Sequence, residues 1–177
     1  MALLILLLCG FTVYGNHTKE IYAPQVYDLR ALGKPKQKYK WSVKPTLRVC
    51  EDSGVPMYRA ARAVKYWEHL GYEFDGVFRG SFSTCMNPKF GEIVITIPEA
   101  GFSSDHMAAT RLYTHKKTGE IVKAKIFILP KNARKDRVLE HELGHALGWS
   151  HYSQRYHMMH PQWKYGGYDS HGIRKVN

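Results

Sequence analysis

Cysteine is scarce in this chain: three in 177 residues, and one of them, Cys9, lies in the apolar leader. A chain of this length buries a real core without many staples, so it is not a disulfide-built scaffold. The other two, Cys50 and Cys85, suggest one disulfide if the chain is exported and two buried thiols if it stays in a reducing compartment. Neither stands in metal-ligand spacing with a histidine. Acidic residues are also few, 15 against 26 lysines and arginines, for a formal net charge of +11. That excess could steer the protein to acidic substrates or an anionic surface, or only keep it in solution. Long apolar runs are missing too. Leu3 to Leu8, extended by Cys9, Gly10, Phe11 and Val13, is too short to span a bilayer comfortably. It reads as the core of a signal peptide covering residues 1–15, with Val13-Tyr14-Gly15 as the cleavage region. No basic residue precedes it, so a retained anchor is the alternative. There is no internal repeat.

What is present divides unevenly. Residues 16–45 show little periodicity. They carry a sequon, Asn16-His17-Thr18, and lysines at 34, 36, 38, 40 and 44 interleaved with Tyr39 and Trp41. Such a run is a solvated basic linker or a short pro-segment, and no specific nucleic-acid partner is expected from it. From Thr46 onward the chain reads as one domain, residues 46–177, expected to be monomeric. Thr46 to Cys50 alternates as a first strand. Pro56 opens a helix whose stripe of Met57, Ala60, Ala61, Val64, Trp67 and Leu70 is core, and Gly71 closes it. Further strands are expected within Tyr72–Phe82 and over Gly91–Ile97. A hairpin follows over Met107–His115 and Glu120–Leu129, with Thr118-Gly119 at the turn. A helix is expected over Lys131–Gly148.

That last helix carries the chemistry. His141-Glu142-Leu143-Gly144-His145-Ala146-Leu147-Gly148-Trp149-Ser150-His151 reads H-E-x-x-H-x-x-G-x-x-H. Histidines four apart share one helix face, so both imidazoles can reach one ion. Gly148 suits the left-handed cap that ends the helix, and the turn brings His151 back as a third nitrogen. Three protein ligands leave a tetrahedral zinc one open position, the mark of a catalytic site. Glu142 lies beside the first histidine, placed to act as a base without binding the metal.

The motif resembles that of the metzincin zinc peptidases, which also carry a methionine turn soon after the third histidine. Met159 fits that turn, at the distance from His151 seen in matrixins. The resemblance implies an α+β fold: a twisted mixed sheet, two helices above a zinc cleft, and a small C-terminal subdomain. It implies one catalytic zinc held by His141, His145 and His151, Glu142 as general base, and a protein or peptide as substrate. Pro161-Gln162-Trp163 resembles the matrixin segment walling the pocket after the scissile bond, so Pro161 and Trp163 are candidate substrate contacts. Extended peptide is expected along a sheet edge over Asp105–Arg111. Asp169 matches the acid that bonds the methionine turn, ahead of a short last helix. The cysteine used for latency in many matrixins is absent between Asn16 and Pro45; Asp28 could substitute, or be a plain loop residue. Tyr152, after the third histidine, departs from the usual matrixin serine. His106, His115, His157 and His160 read as exposed loop histidines. A different class of function, a non-catalytic zinc-stabilised binding module using its basic surface, stays open.

Overall fold

The computed structural model describes residues 33–99 and 106–174, together with the backbone of Thr18–Tyr22. The leader, Asp28 and Asp105, the first residue of the expected sheet edge, lie outside the described residues.

Strands and helices follow the periodicities. The strands are β1 (Thr18–Tyr22), β2 (Thr46–Cys50), β3 (Val77–Gly80), β4 (Glu92–Thr96), β5 (Ala108–His115) and β6 (Ile121–Ile128). The helices are α1 (Met57–Glu68), the single turn α2 (Phe82–Cys85) and α3 (Val138–Ala146). All strands join one mixed sheet in the order β1-β5-β6-β4-β2-β3. The pairs β2–β3, β2–β4 and β4–β6 are parallel, and β5 runs antiparallel to β6. The sheet's burial tells its place: every residue of β4 and all but one of β6 are buried, whereas β5 alternates. Strands covered on both faces lose the alternation that a half-exposed strand keeps.

The core gathers Trp67 of α1, Leu139 and Leu143 of α3, and Leu47, Ile93, Ile95 and Ile126 of the sheet, all at most 1% exposed. Ala60, Val64 and Trp67 occupy the expected stripe, but Ala61 is only half-buried, and Arg59 and Ala63 are buried instead. Arg59 is tolerated inside because Glu140 of α3 meets it through two hydrogen bonds, 3.1 and 2.9 Å long. Trp67 also donates its indole N–H to the Glu140 carbonyl at 2.8 Å, so α1 fixes the turn just before the histidines.

Three expectations need correction. The α3 helix spans Val138–Ala146, not Lys131–Gly148. Residues Pro130–Asn132 form a 3₁₀ turn, and Arg137 takes φ +68°, a left-handed conformation that no helix can run through. No helix follows Tyr165 among the described residues; the chain turns, and Ile173 drives into the core at 1% exposure. The stretch after Gly33 is no solvated linker. Its backbone bonds Ile121 through the Lys40 carbonyl and the Ser42 N–H, and Gly148 through the Lys38 N–H.

Cys50 and Cys85 form a disulfide with Cα atoms 6.0 Å apart. It ties β2 to the short α2 turn. No helix among the described residues is long and apolar enough to cross a membrane.

Candidate metal centre

The α3 helix places His141 and His145 one turn apart, and its C-terminus redirects the chain toward His151. The helix ends in paired bonds, Trp149 N–H to the Gly144 carbonyl at 3.0 Å and Gly148 N–H to the His145 carbonyl at 2.8 Å. This is the Schellman arrangement, which needs a left-handed residue; Gly148 supplies it at φ +91°. The glycine expected to end the helix does so two residues beyond Ala146.

The remaining C-terminal carbonyls would be orphans. The segment before β2 satisfies them. Trp41 Nε1 donates to the Ala146 carbonyl at 2.8 Å, Gln37 Nε2 to that of Leu147 at 2.9 Å, and the Lys38 N–H to that of Gly148 at 2.8 Å. Ser150 N–H in turn bonds the Lys36 carbonyl at 3.0 Å. Residues 36–41 are therefore a strap over the turn that presents His151.

The three imidazoles converge through Nε2, with separations of 3.1, 3.3 and 3.0 Å. Their other nitrogens decide the tautomers. His141 Nδ1 faces the Met158 carbonyl at 2.8 Å, and His145 Nδ1 faces that of Trp149 at 2.8 Å. A carbonyl only accepts, so both Nδ1 atoms carry hydrogen and both neutral rings aim an Nε2 lone pair inward. His151 Nδ1 is buried without a hydrogen-bond partner among the described residues. Burial keeps the rings neutral: His141 is pushed down to about 4 and His151 to about 3, with the neighbouring imidazoles adding to the shift. His145 falls well below its ordinary value for the same reasons. Lone pairs converging at hydrogen-bond distance without a proton between them call for a cation. This cluster can hold a metal ion.

Glu142, next along the helix, is 7% exposed. Burial pushes its carboxyl up to about 7, against the pull of a hydrogen bond from Thr110. Thr110 on β5 sets its hydroxyl 2.7 Å from Glu142 Oε2 and 3.0 Å from the Glu142 carbonyl. Sequence reading gave no sign of Thr110, since the contact joins residues 32 apart. Its only local signal is an inward position in an alternating strand.

Below the histidines lies Met159, fully buried, with Met158 beside it at 2% exposure. A Cβ built on Gly144 would fall 2.4 Å from Met159 Sδ and 2.6 Å from the Trp67 ring. Glycine between the two helix histidines is thus what lets methionine and tryptophan close under the site. The turn is pinned by His157, which is no exposed loop histidine: it is wholly buried, and His160 is 8% exposed. His157 Nδ1 accepts the Met159 N–H at 3.1 Å, leaving its Nε2–H to donate to the His171 carbonyl at 3.2 Å. Asp169 does reach the turn, but through its backbone: its carbonyl accepts the Met158 N–H at 2.7 Å. Its carboxylate instead caps its own loop, accepting the His171 N–H at 3.0 Å.

Trp163 and Pro161 follow the turn. Trp163 is 41% exposed and Pro161 half-buried. The indole N–H donates to the Asp136 carbonyl at 2.9 Å, so the ring lies against the loop leading into α3. The sheet edge on this side is partly covered. β1 pairs antiparallel with β5 from Thr18 opposite His115 to Tyr22 opposite Arg111. The expected edge is therefore occupied at Arg111, while Ala108–Thr110 have no second strand partner among the described residues. No family model, curated protein or solved structure matches this chain.

Proposed function

We propose that this chain is a zinc-dependent endopeptidase of metzincin type, matrixin-like in its methionine turn. One observation carries the reading: three histidines, His145 buried and His141 and His151 half-buried, converge through Nε2, and a buried carboxylate follows the first of them on the same helix turn. An all-nitrogen, borderline-soft donor set suits zinc. A tetrahedral zinc with bonds of about 2.0–2.1 Å separates its nitrogens by roughly 3.3–3.4 Å, close to the spacing seen. The mixed sheet with its antiparallel strand β5 beside the site agrees with the same reading. The disulfide agrees with export to an oxidising compartment.

When bound, zinc would polarise the scissile carbonyl and make water acidic enough to lose a proton near neutrality. The protein's own residues do the rest. Carbonyl-anchored Nδ1–H groups orient His141 and His145 as neutral donors. Glu142 takes the proton of the attacking water and passes it to the leaving amine. Thr110 holds the carboxylate while that happens. Peptide lies along Ala108–Thr110, and Pro161 and Trp163 flank the residue after the cut.

The test is turnover of a quenched peptide pool by wild type and Glu142→Ala at matched zinc content. Wild type should cleave and lose activity to a chelator. Glu142→Ala should keep its metal and lose roughly 10²–10⁴-fold in rate. A binding module without catalysis would show the two proteins alike, and that outcome would end the peptidase reading.

A further inference from the structure

Two separate segments build one cationic surface beside the histidines. The loop entering α3 contributes Lys135 and Arg137, and the segment after His151 contributes Arg155 and Lys164. Aromatic faces hold all four. The Arg137 guanidinium lies 4.8 Å from the centre of the Trp163 ring, and Lys135 Nζ lies 5.7 Å from the same ring. Arg155 lies 5.2 Å from the centre of Tyr165, and Lys164 Nζ 4.7 Å. The segments are fastened together: Trp163 Nε1 donates to the Asp136 carbonyl at 2.9 Å, and Arg137 Nη1 donates to the Trp163 carbonyl at 3.1 Å.

This surface is joined to the first metal ligand and to the methionine turn. The His141 N–H donates to the Arg137 carbonyl at 2.8 Å, and the Tyr165 ring stands edge-on to His160 with centroids 5.7 Å apart. Arg137 and Arg155 are close enough to help depress the His141 and His160 pKa values respectively.

The cations are also uncompensated. Among the described residues, no carboxylate pairs with Lys135, Arg137, Arg155 or Lys164. The nearby acids are engaged elsewhere: Asp136 with Arg62 at 2.6 Å, Glu140 with Arg59 at 2.9 Å, and Asp169 with its own loop at 3.0 Å. A cation held over an aromatic face has already lost part of the side-chain freedom that binding a carboxylate would otherwise cost.

We propose that this aromatic-backed cation surface is an acidic-peptide subsite, which selects substrates carrying Asp or Glu close to the scissile bond on the side that Trp163 flanks. The choice of peptide as ligand rests on the peptidase reading. Carboxylates meeting exposed cations gain little one at a time, so selectivity comes from several at once and weakens with salt.

Binding and cleavage test this separately. Zinc-loaded Glu142→Ala protein is titrated with paired fluorescent peptides that share one core, flanked by Asp and Glu in one and by Asn and Gln in the other. The acidic peptide should bind roughly tenfold more tightly at low salt, and the gap should close in about 0.5 M salt. It should also close in a Lys135→Gln/Arg155→Gln/Lys164→Gln background, built from the three exposed positions and leaving Arg137, which anchors Trp163, in place. Equal binding of the two peptides, or a gap that survives the triple substitution, would overturn the subsite. So would a short oligonucleotide binding more tightly than the acidic peptide, since the surface would then fit a polyanion better than a peptide. Wild type failing to cleave either peptide would count against the peptidase reading alone, because the binding comparison does not depend on turnover.

Discussion

Thr110 on β5 sets its hydroxyl 2.7 Å from the Glu142 carboxylate, joining the sheet to the acidic side chain that follows the first of the converging histidines. Both residues are buried, so the bond is not in competition with bulk water. A hydroxyl that donates to a carboxylate favours its charged form and fixes its direction. Thr110→Val keeps the shape and removes the donor. It should lower kcat by about tenfold to a hundredfold with little change in KM, since the group lost acts on the base and not on substrate. Thr110→Ser should restore most of the rate. Steady-state kinetics of the three proteins at equal metal content check this. A Val variant as fast as wild type would remove Thr110 from the mechanism.

The buried ion pair between α1 and α3 should dominate stability near the site. Arg59 and Glu140 are 3% and 0% exposed at the side chain. Replacing Arg59 by Met would leave Glu140 facing only the half-exposed Arg62, 3.3 Å away. Breaking such a pair from one side costs roughly 3–5 kcal/mol, because a charge stays buried without its partner. Chemical denaturation of metal-free Arg59→Met against wild type should show a loss of that order. The paired change Arg59→Met/Glu140→Leu should recover part of it.

Much of the site was legible because its signals are local. The histidine spacing, Gly148 and Met159 lie within one short stretch, and a helix period or a turn residue is a property of neighbours. β2 was readable from alternation alone, and its residues are those expected. What was not legible depends on partners far along the chain. The strap of residues 36–41 looked like a linker because lysines dominate it, yet its backbone and Gln37 and Trp41 carry the contacts. Arg59 stood outside the expected core stripe, and its burial has no local signal because its partner is 81 positions away. His157 looked exposed because nothing local shows that its two nitrogens meet the Met159 N–H and the His171 carbonyl. The start of α3 was misplaced because a left-handed arginine leaves no mark in composition.

Acid should weaken the fold partly through Glu92. Burial alone would raise its pKa, but hydrogen bonds from Arg48 and from the Lys89 N–H at 2.9 Å outweigh that and hold it below the ordinary 4.5. The stabilisation is therefore complete above pH 4.5 and is lost as the pH falls through the lower folded value. Arg48→Met removes the guanidinium and leaves only the Lys89 N–H and charge to oppose burial, so the variant gains less stability as the pH rises. The stability difference between wild type and Arg48→Met should grow from pH 3 to pH 6. Taking the difference cancels what the histidines contribute to both proteins. A difference that stayed flat across that range would dissociate Glu92 from Arg48.

The strap makes the last prediction, at Gly148. Its φ of +91° already disfavours a side chain, and a Cβ there would fall 2.1 Å from the Tyr39 carbonyl oxygen. Strain and collision are separable costs. Gly119, at the β5–β6 turn, has φ +72° with nothing within 4 Å of a built Cβ. Gly119→Ala should thus pay only for the left-handed backbone, roughly 1 kcal/mol. Gly148→Ala must in addition push back the strap, which gives up capping bonds from Gln37, Lys38 and Trp41 to the end of α3. Each such bond is worth about 1 kcal/mol, so the total should come to roughly 3–4 kcal/mol. Because the same turn presents His151, metal affinity should fall with stability in Gly148→Ala and stay unchanged in Gly119→Ala. Denaturation of the metal-free proteins and competition with a chromogenic chelator measure the two effects. Equal losses in both variants would mean that the strap yields without cost and does not hold the third histidine in place.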